Sequence, residues 1–405
     1  MKKIQLNLDL IEFAFLIFTV IFIPSFEAPK NFFLVLFITT SIYRQIKNKI
    51  IFKWQPFDLI ILIYLFSALL SSIFPGIPNG NEWKGFTGML TWALFGWAVS
   101  RLNCTKENLL FLIKLSIYSV VPLILWGIFQ FVFLKKTGEF QLHSVGNVNH
   151  SAIYLVMIGG ALLGFLNEKN VAISLERKSL YKIFNYLLLI LIIYTLLICQ
   201  SRAAFGIFIG ILITYDFLHK KYNISTLKVI ILIILSMMFL FDAPILKKTI
   251  NYAAHNENFS GRIGIWKTAM ESSKTFPLLG TGNANWKKIT LDQLQLSVEK
   301  RGKQFNAKDY NYPVAHAHSL YLSALAERGW VGFYALLSLM LFWGFILISR
   351  FKLTLKNSTN NIIWFSSFSA WTATFLIGIV NSTFHHEEAL LAYLYLGIYT
   401  SHLKK

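Results

Sequence analysis

Residues 183–218 read IFNYLLLILIIYTLLICQSRAAFGIFIGILITYDFL. Two apolar runs, each close to the roughly 20 residues that cross a bilayer as a helix, meet at the short joint Gln200-Ser201-Arg202-Ala203-Ala204. Backbone polar groups in hydrocarbon must be satisfied inside the segment, so such runs are helical. The pair therefore reads as two antiparallel spans with an arginine at the turn.

The rest of the chain repeats this layout. Apolar runs fall at 11–24, 31–43, 57–74, 86–100, 115–133, 150–166, 183–199, 203–218, 226–243, part of 318–349, 362–380 and 386–402. The expected fold is all-α: a polytopic integral membrane protein of about 12 transmembrane helices, one domain over 1–405. Composition agrees. Only 14% of the 405 residues are charged and 55% are hydrophobic, too little polar surface for a water-soluble globule of this size. The 37 Phe and 11 Trp suit lipid contact and interfacial belts. The formal net charge of +19 could point to nucleic acid. The basic residues, however, form short clusters between apolar runs, which is a topology signal and a headgroup contact, so membrane lipids are the expected partner and nucleic acid is not. Met1-Lys2-Lys3 before an apolar run looks like a signal peptide, but no small-residue cleavage site follows, and a retained first helix is expected. Cys104 falls in a loop and Cys199 in a span, which makes a disulfide between them unexpected.

Charge placement gives the parity. Lys and Arg concentrate in alternate loops, at Arg44–Lys53, Arg101–Lys106, Lys169–Lys182, Lys220–Lys228, Arg350–Lys356 and Lys404–Lys405. The intervening short loops hold few, among them Lys30 and Lys84. An even number of spans with both ends in the cytoplasm follows from the positive-inside rule. One segment breaks the rhythm. Residues 244–317 contain no membrane-length apolar run and hold eleven Lys and Arg. Long translocated loops escape the rule, so this is expected to be a large, partly helical periplasmic loop. Its basic character suits an anion, with phosphate the first choice. A solvated or headgroup-hugging loop is the plain alternative.

Three constellations stand out. Arg202 lies at the edge of a span, where burial is costly unless an anion meets it; snorkelling to lipid phosphates would also explain it. Ser260-Gly261-Arg262 can open a helix whose first turn carries a guanidinium, a ready anion site. Downstream, Gly280 and Gly282 in Leu279-Gly280-Thr281-Gly282 allow a tight turn that could present N–H groups to a phosphate, although no P-loop lysine follows and no nucleotide-binding signature occurs in the chain. His316-Ala317-His318-Ser319 begins where the polar loop returns to the membrane. A wet histidine there suits a general base. A structural histidine is the alternative, as is a zinc site from His316 and His318, with His385, His386, Glu387 and Glu388 on the same side.

In order and spacing, these segments resemble the O-antigen ligase and polymerase superfamily of bacterial polysaccharide assembly. The resemblance rests on His318-Ser319 and Leu322 with Glu327, Gly329 and Gly332, on Ser201-Arg202, on Gly261-Arg262 with Trp266, and on the glycine turn. It covers mainly Ser201 to Gly332. It implies a metal-independent, inverting glycosyltransferase without cofactor in the bacterial inner membrane, active at the periplasmic face. The implied donor is an undecaprenyl diphosphate-linked glycan. The acceptor would be lipid A-core for a ligase, the branch the span layout favours, or a second lipid-linked repeat for a polymerase. His318 would be the general base, Arg202 and Arg262 the diphosphate clamp, and His316, Gly280, Gly282 and Glu327 substrate-binding or supporting groups. A transporter of lipid-linked sugars is the competing class, but paired halves and polar mid-span segments are not evident.

Overall fold

The computed structural model describes residues 8–51, 53–134, 140–166, 175–218, 262–311, 316–354 and 358–404. Among these residues the chain is all-helical, with no strand. In chain order the helices are α1 (Leu8–Phe22), α2 (Glu27–Lys47), α3 (Pro56–Ile73), α4 (Asn81–Ser100), α5 (Lys106–Ser119), α6 (Val121–Ile128), α7 (Val148–Leu166), α8 (Leu175–Ile198), α9 (Arg202–Leu218), α10 (Arg262–Thr275), α11 (Leu291–Glu299), α12 (Leu320–Ser349), α13 (Ser358–Phe375) and α14 (His386–His402).

The centre of the bundle is α7, buried along nearly its whole length and packed on α13. Close approach needs small residues, because lipid supplies no hydrophobic drive between helices. Gly160 meets that need: a Cβ there would lie 2.2 Å from the Ser369 Cβ, and Ser369 donates its hydroxyl to the Met157 carbonyl at 3.1 Å. Around this pair, α14 packs on α4, α12 on α3, and α8 and α9 on α7.

Six stretches of described helix are long and apolar enough to cross a membrane: Pro56–Ile73, Lys106–Phe133, Val148–Leu166, Ser179–Ile198, Leu320–Ser349 and Ser358–Ile379. The count of twelve therefore exceeds what the described helices establish. Helices do form at 11–24, 203–218 and 386–402, but they are only 15, 17 and 17 residues long. Those at 31–43 and 86–100 are longer yet carry charged residues, among them Lys30, Arg44 and Glu82. The expected span 226–243 lies outside the described residues.

Contacts between loops define two ends of the bundle. At one end Arg44 pairs with Glu12 and donates to the Arg101 carbonyl at 2.8 Å, Arg101 pairs with Asp58, and Lys404 donates to the Ser100 carbonyl. Arg44 and Arg101, read from sequence as loop charges, are thus buried in ion pairs. Losing one partner of such a pair strands the other charge and costs about 3–5 kcal/mol. At the opposite end Lys30 meets Glu387 at 2.5 Å, the Ser144 hydroxyl donates to the same carboxylate, and His143 reaches the Ser25 carbonyl at 2.6 Å. The loops that the sequence assigns to one side of the membrane are in contact with one another at one end. Cys104 and Cys199 are not joined in a disulfide.

Residues 262–311 build a helical cap at this second end. Ile265, Ala269 and Trp286 of the cap share a small core with Ala317 and Ala326, so the cap is docked on the start of α12.

Candidate functional site

The cap, the start of α12 and the loop before α14 converge on His318. Ser319 caps α12 by accepting from the Leu322 N–H. His318, just before the cap, has φ 46°. Left-handed backbone at a residue other than glycine costs of order 1–3 kcal/mol and persists only where the surroundings impose it. Three more such residues border the site: Gln200 (φ 55°) before Arg202, and Phe384 (φ 67°) and His386 (φ 50°) on either side of His385.

The environment of His318 suits a base. Asn381, itself buried, hydrogen-bonds the imidazole. Nδ1 is buried and has no partner among the described residues, so Asn381 holds the other nitrogen. An amide oxygen accepting from Nε2–H fixes the tautomer with its lone pair on Nδ1. Burial and the nearby Arg262 guanidinium hold the ring below the ordinary histidine range, and the Asn381 hydrogen bond offsets part of that. At neutral pH the ring is the free base.

Arg262 is the first residue of α10, as the sequence reading expects, while Ser260 falls outside the described residues. Its Nη1 donates to the Val380 carbonyl at 2.5 Å. That bond ties the start of α10 to the turn holding Asn381, and the guanidinium charge is close enough to act on His318. Arg202 is the half-buried first residue of α9. Helix α9 packs against the 3-10 turn Ile377–Ile379, immediately before Val380. The two arginine segments thus meet one turn, and that turn carries the partner of His318.

The glycine pair is placed differently from the phosphate-binding turn expected. The N–H groups of Gly280, Thr281 and Gly282 go to the carbonyls of Phe276, Ala326 and Glu327, so none is left to face a phosphate. The turn serves a break in α12 instead. Gly329 adopts φ 61°, ψ −162°, a region open essentially to glycine alone. The freed N–H groups of Trp330 and Val331 are taken by Pro277 and Leu278, at 2.8 and 3.2 Å. A Cβ on Gly280 would lie 2.3 Å from the Glu327 carbonyl carbon, and one on Gly329 would meet the Leu278 carbonyl carbon at the same distance. The half-buried Glu327 accepts from the Ala284 N–H, so its carboxylate holds the same turn. Gly280, Gly282 and Glu327 thus fit the broken helix to the cap.

A second cluster adjoins His318. The exposed His316 ring stacks on His385 at 5.9 Å, and His385 meets His150 edge-on at 4.4 Å. His150 Nδ1 lies 2.5 Å from Glu388 Oε1. Neither His150 nor Asn381 stands out in the sequence. Each lies in a short polar stretch bordering an apolar run, and each finds its partner only in the folded bundle.

A polytopic helical membrane protein with a basic and histidine-bearing site at one end is the class these observations define. Residues 187–337 match the family model described as O-antigen ligase. Members of the family are glycosyltransferase-like ligases and polymerases acting on lipid-linked glycans. No curated protein matches the chain.

Proposed function

We propose that the protein is an O-antigen ligase that transfers a glycan from undecaprenyl diphosphate to a sugar hydroxyl of lipid A-core. It works at the periplasmic face of the inner membrane, in a bundle of about twelve spans. The observation that carries this reading is the convergence of Arg262 and a neutral, tautomer-fixed His318 on one turn. In the step, His318 Nδ1 takes the proton of the acceptor hydroxyl as its oxygen attacks the anomeric carbon. The new glycosidic bond forms on the face opposite the departing oxygen, inverting the centre. The bond from carbon to the diphosphate oxygen breaks, and Arg202 and Arg262 stabilise the negative charge that leaves with undecaprenyl diphosphate. That leaving group is already acidic, so no general acid is required. The step needs neither metal nor nucleotide: purified protein is expected to transfer glycan in EDTA and without ATP.

A deletion strain tests ligase against its neighbours. Bare lipid A-core with accumulated long lipid-linked chains is the expected phenotype. Cores capped by a single repeat would make the protein a polymerase instead, and donor confined to the cytoplasmic leaflet would make it a transporter.

Two further expectations follow. In a chain stripped of Cys104 and Cys199, Gln304→Cys reacts with an impermeant thiol reagent in intact spheroplasts, while Lys352→Cys does not. The reverse pattern would invert the topology. The pH–rate profile should rise with pH through a His318 pKa below the usual histidine range, because the neutral ring is active. Asn381→Ala removes the bond that favours the charged ring and shifts this acid limb to lower pH. Arg262→Gln removes a repelling cation and shifts it upward. Coincident profiles for the three proteins would remove His318 from the proton transfer.

A further inference from the structure

The histidine cluster beside His318 contains a set of ligand atoms that nothing in the transfer step uses. His150 lies in the first turn of α7, and His385 and Glu388 flank the start of α14. One nitrogen of each histidine and one oxygen of the carboxylate lie within 4.8 Å of one another. Glu388 is fully buried, and its Oε2 has no hydrogen-bond partner among the described residues. His385 has the Ser382 backbone as a hydrogen-bond neighbour for one ring nitrogen, and its other buried nitrogen has no partner among the described residues. A neutral imidazole offers one donor and one lone pair, and leaving either unmet away from water carries a desolvation cost. The neighbouring acid is accounted for differently: Glu387 is neutralised by Lys30.

We propose that His150, His385 and Glu388 bind a zinc ion that ties the outer end of α7 to the outer end of α14. Two imidazoles and one carboxylate are a nitrogen-and-oxygen set suited to zinc, with bonds of about 2.0–2.2 Å and the fourth tetrahedral position left to water. Such bonds place ligand atoms about 3.4 Å apart. The ligand atoms, within 4.8 Å of one another here, draw together to that spacing on binding. Zinc needs neutral imidazoles and an ionised carboxylate, so the proton shared between His150 Nδ1 and Glu388 Oε1 is released on binding. The ion gives the unpartnered Oε2 and one His385 nitrogen their missing contacts. It also fixes the loop that carries Asn381 on one side and faces the His316 ring on the other. The chemistry of transfer stays with His318, and this proposal is independent of which glycan, if any, the protein transfers.

The test is the zinc content of the full chain, purified in detergent with a tag free of histidine, dialysed against chelator and titrated with Zn²⁺. The expected result is one tightly held zinc per chain. Tetrahedral Co²⁺ put in its place should show d–d absorption. His385→Ala and Glu388→Gln should each weaken zinc binding by more than the roughly 10–100-fold that loss of an outer-shell partner costs. His316→Ala and His318→Ala should leave it unchanged. No zinc above background in the wild-type protein would overturn the proposal without reliance on any variant. So would zinc retained at full affinity in His385→Ala, or zinc lost in His318→Ala, which would move the ion to another set of ligands.

Discussion

His318→Ala should lower glycan transfer by roughly 10²–10⁴-fold while donor binding stays near the wild-type level, the range expected for loss of a positioned general base. The separation of the two effects follows from geometry. His318 is hydrogen-bonded to Asn381, and in the proposed step its Nδ1, which has no partner among the described residues, takes the acceptor proton. It is not needed to grip the diphosphate, which falls to the arginines. Single-turnover transfer and donor binding measured on the same preparation check this. His316→Ala should be milder, because that ring is exposed and stacked on His385. A folded His318→Ala protein that binds donor and transfers at the wild-type rate would make His318 structural.

The second large effect concerns the guanidinium groups. Arg262→Lys and Arg202→Lys should each reduce kcat, raise the donor KM, or both, with a loss of roughly 10²–10³-fold where the contact strengthens as the diphosphate departs. Lysine keeps the charge, so a purely electrostatic role would leave transfer nearly intact. The fork is what lysine lacks. Arg262 places one nitrogen on the Val380 carbonyl, and its planar fork carries five N–H donors in all where an ammonium is a single point charge. A single ammonium cannot anchor the turn and clasp a diphosphate in that way. Steady-state kinetics over a donor series, for both lysine variants, is the check.

Much of this arrangement can be read from the chain before it is folded. The apolar runs mark the helices because hydrocarbon leaves the backbone no other choice. The helix at Arg262 and the loop-to-helix junction at His318 are both legible, the second because the capping residue Ser319 and a change of polarity mark it. The glycine turn departs from the expected phosphate-binding turn for a definite reason. A sequence shows that Gly280 and Gly282 can adopt left-handed backbone, but not what their N–H groups will meet. Here the carbonyls of a helix broken at Gly329 claim them. His150 and Asn381 were invisible for the same kind of reason. His150 becomes notable only beside Glu388, 238 positions away in the chain, and no local pattern encodes that pairing. The short helices α1, α9 and α14 show why the span count outran the described structure: they are apolar, but less than 18 residues long.

The central claim is tested most directly with purified protein in liposomes, supplied with an undecaprenyl diphosphate-linked glycan and lipid A-core and with no nucleotide. The account predicts that the glycan appears covalently on the core in a β-to-α or α-to-β inverted linkage, that undecaprenyl diphosphate is released in equal amount, and that His318→Ala lowers both by roughly 10²–10⁴-fold. Release of no diphosphate by active, folded wild-type protein, with the donor merely moved across the bilayer, would contradict it.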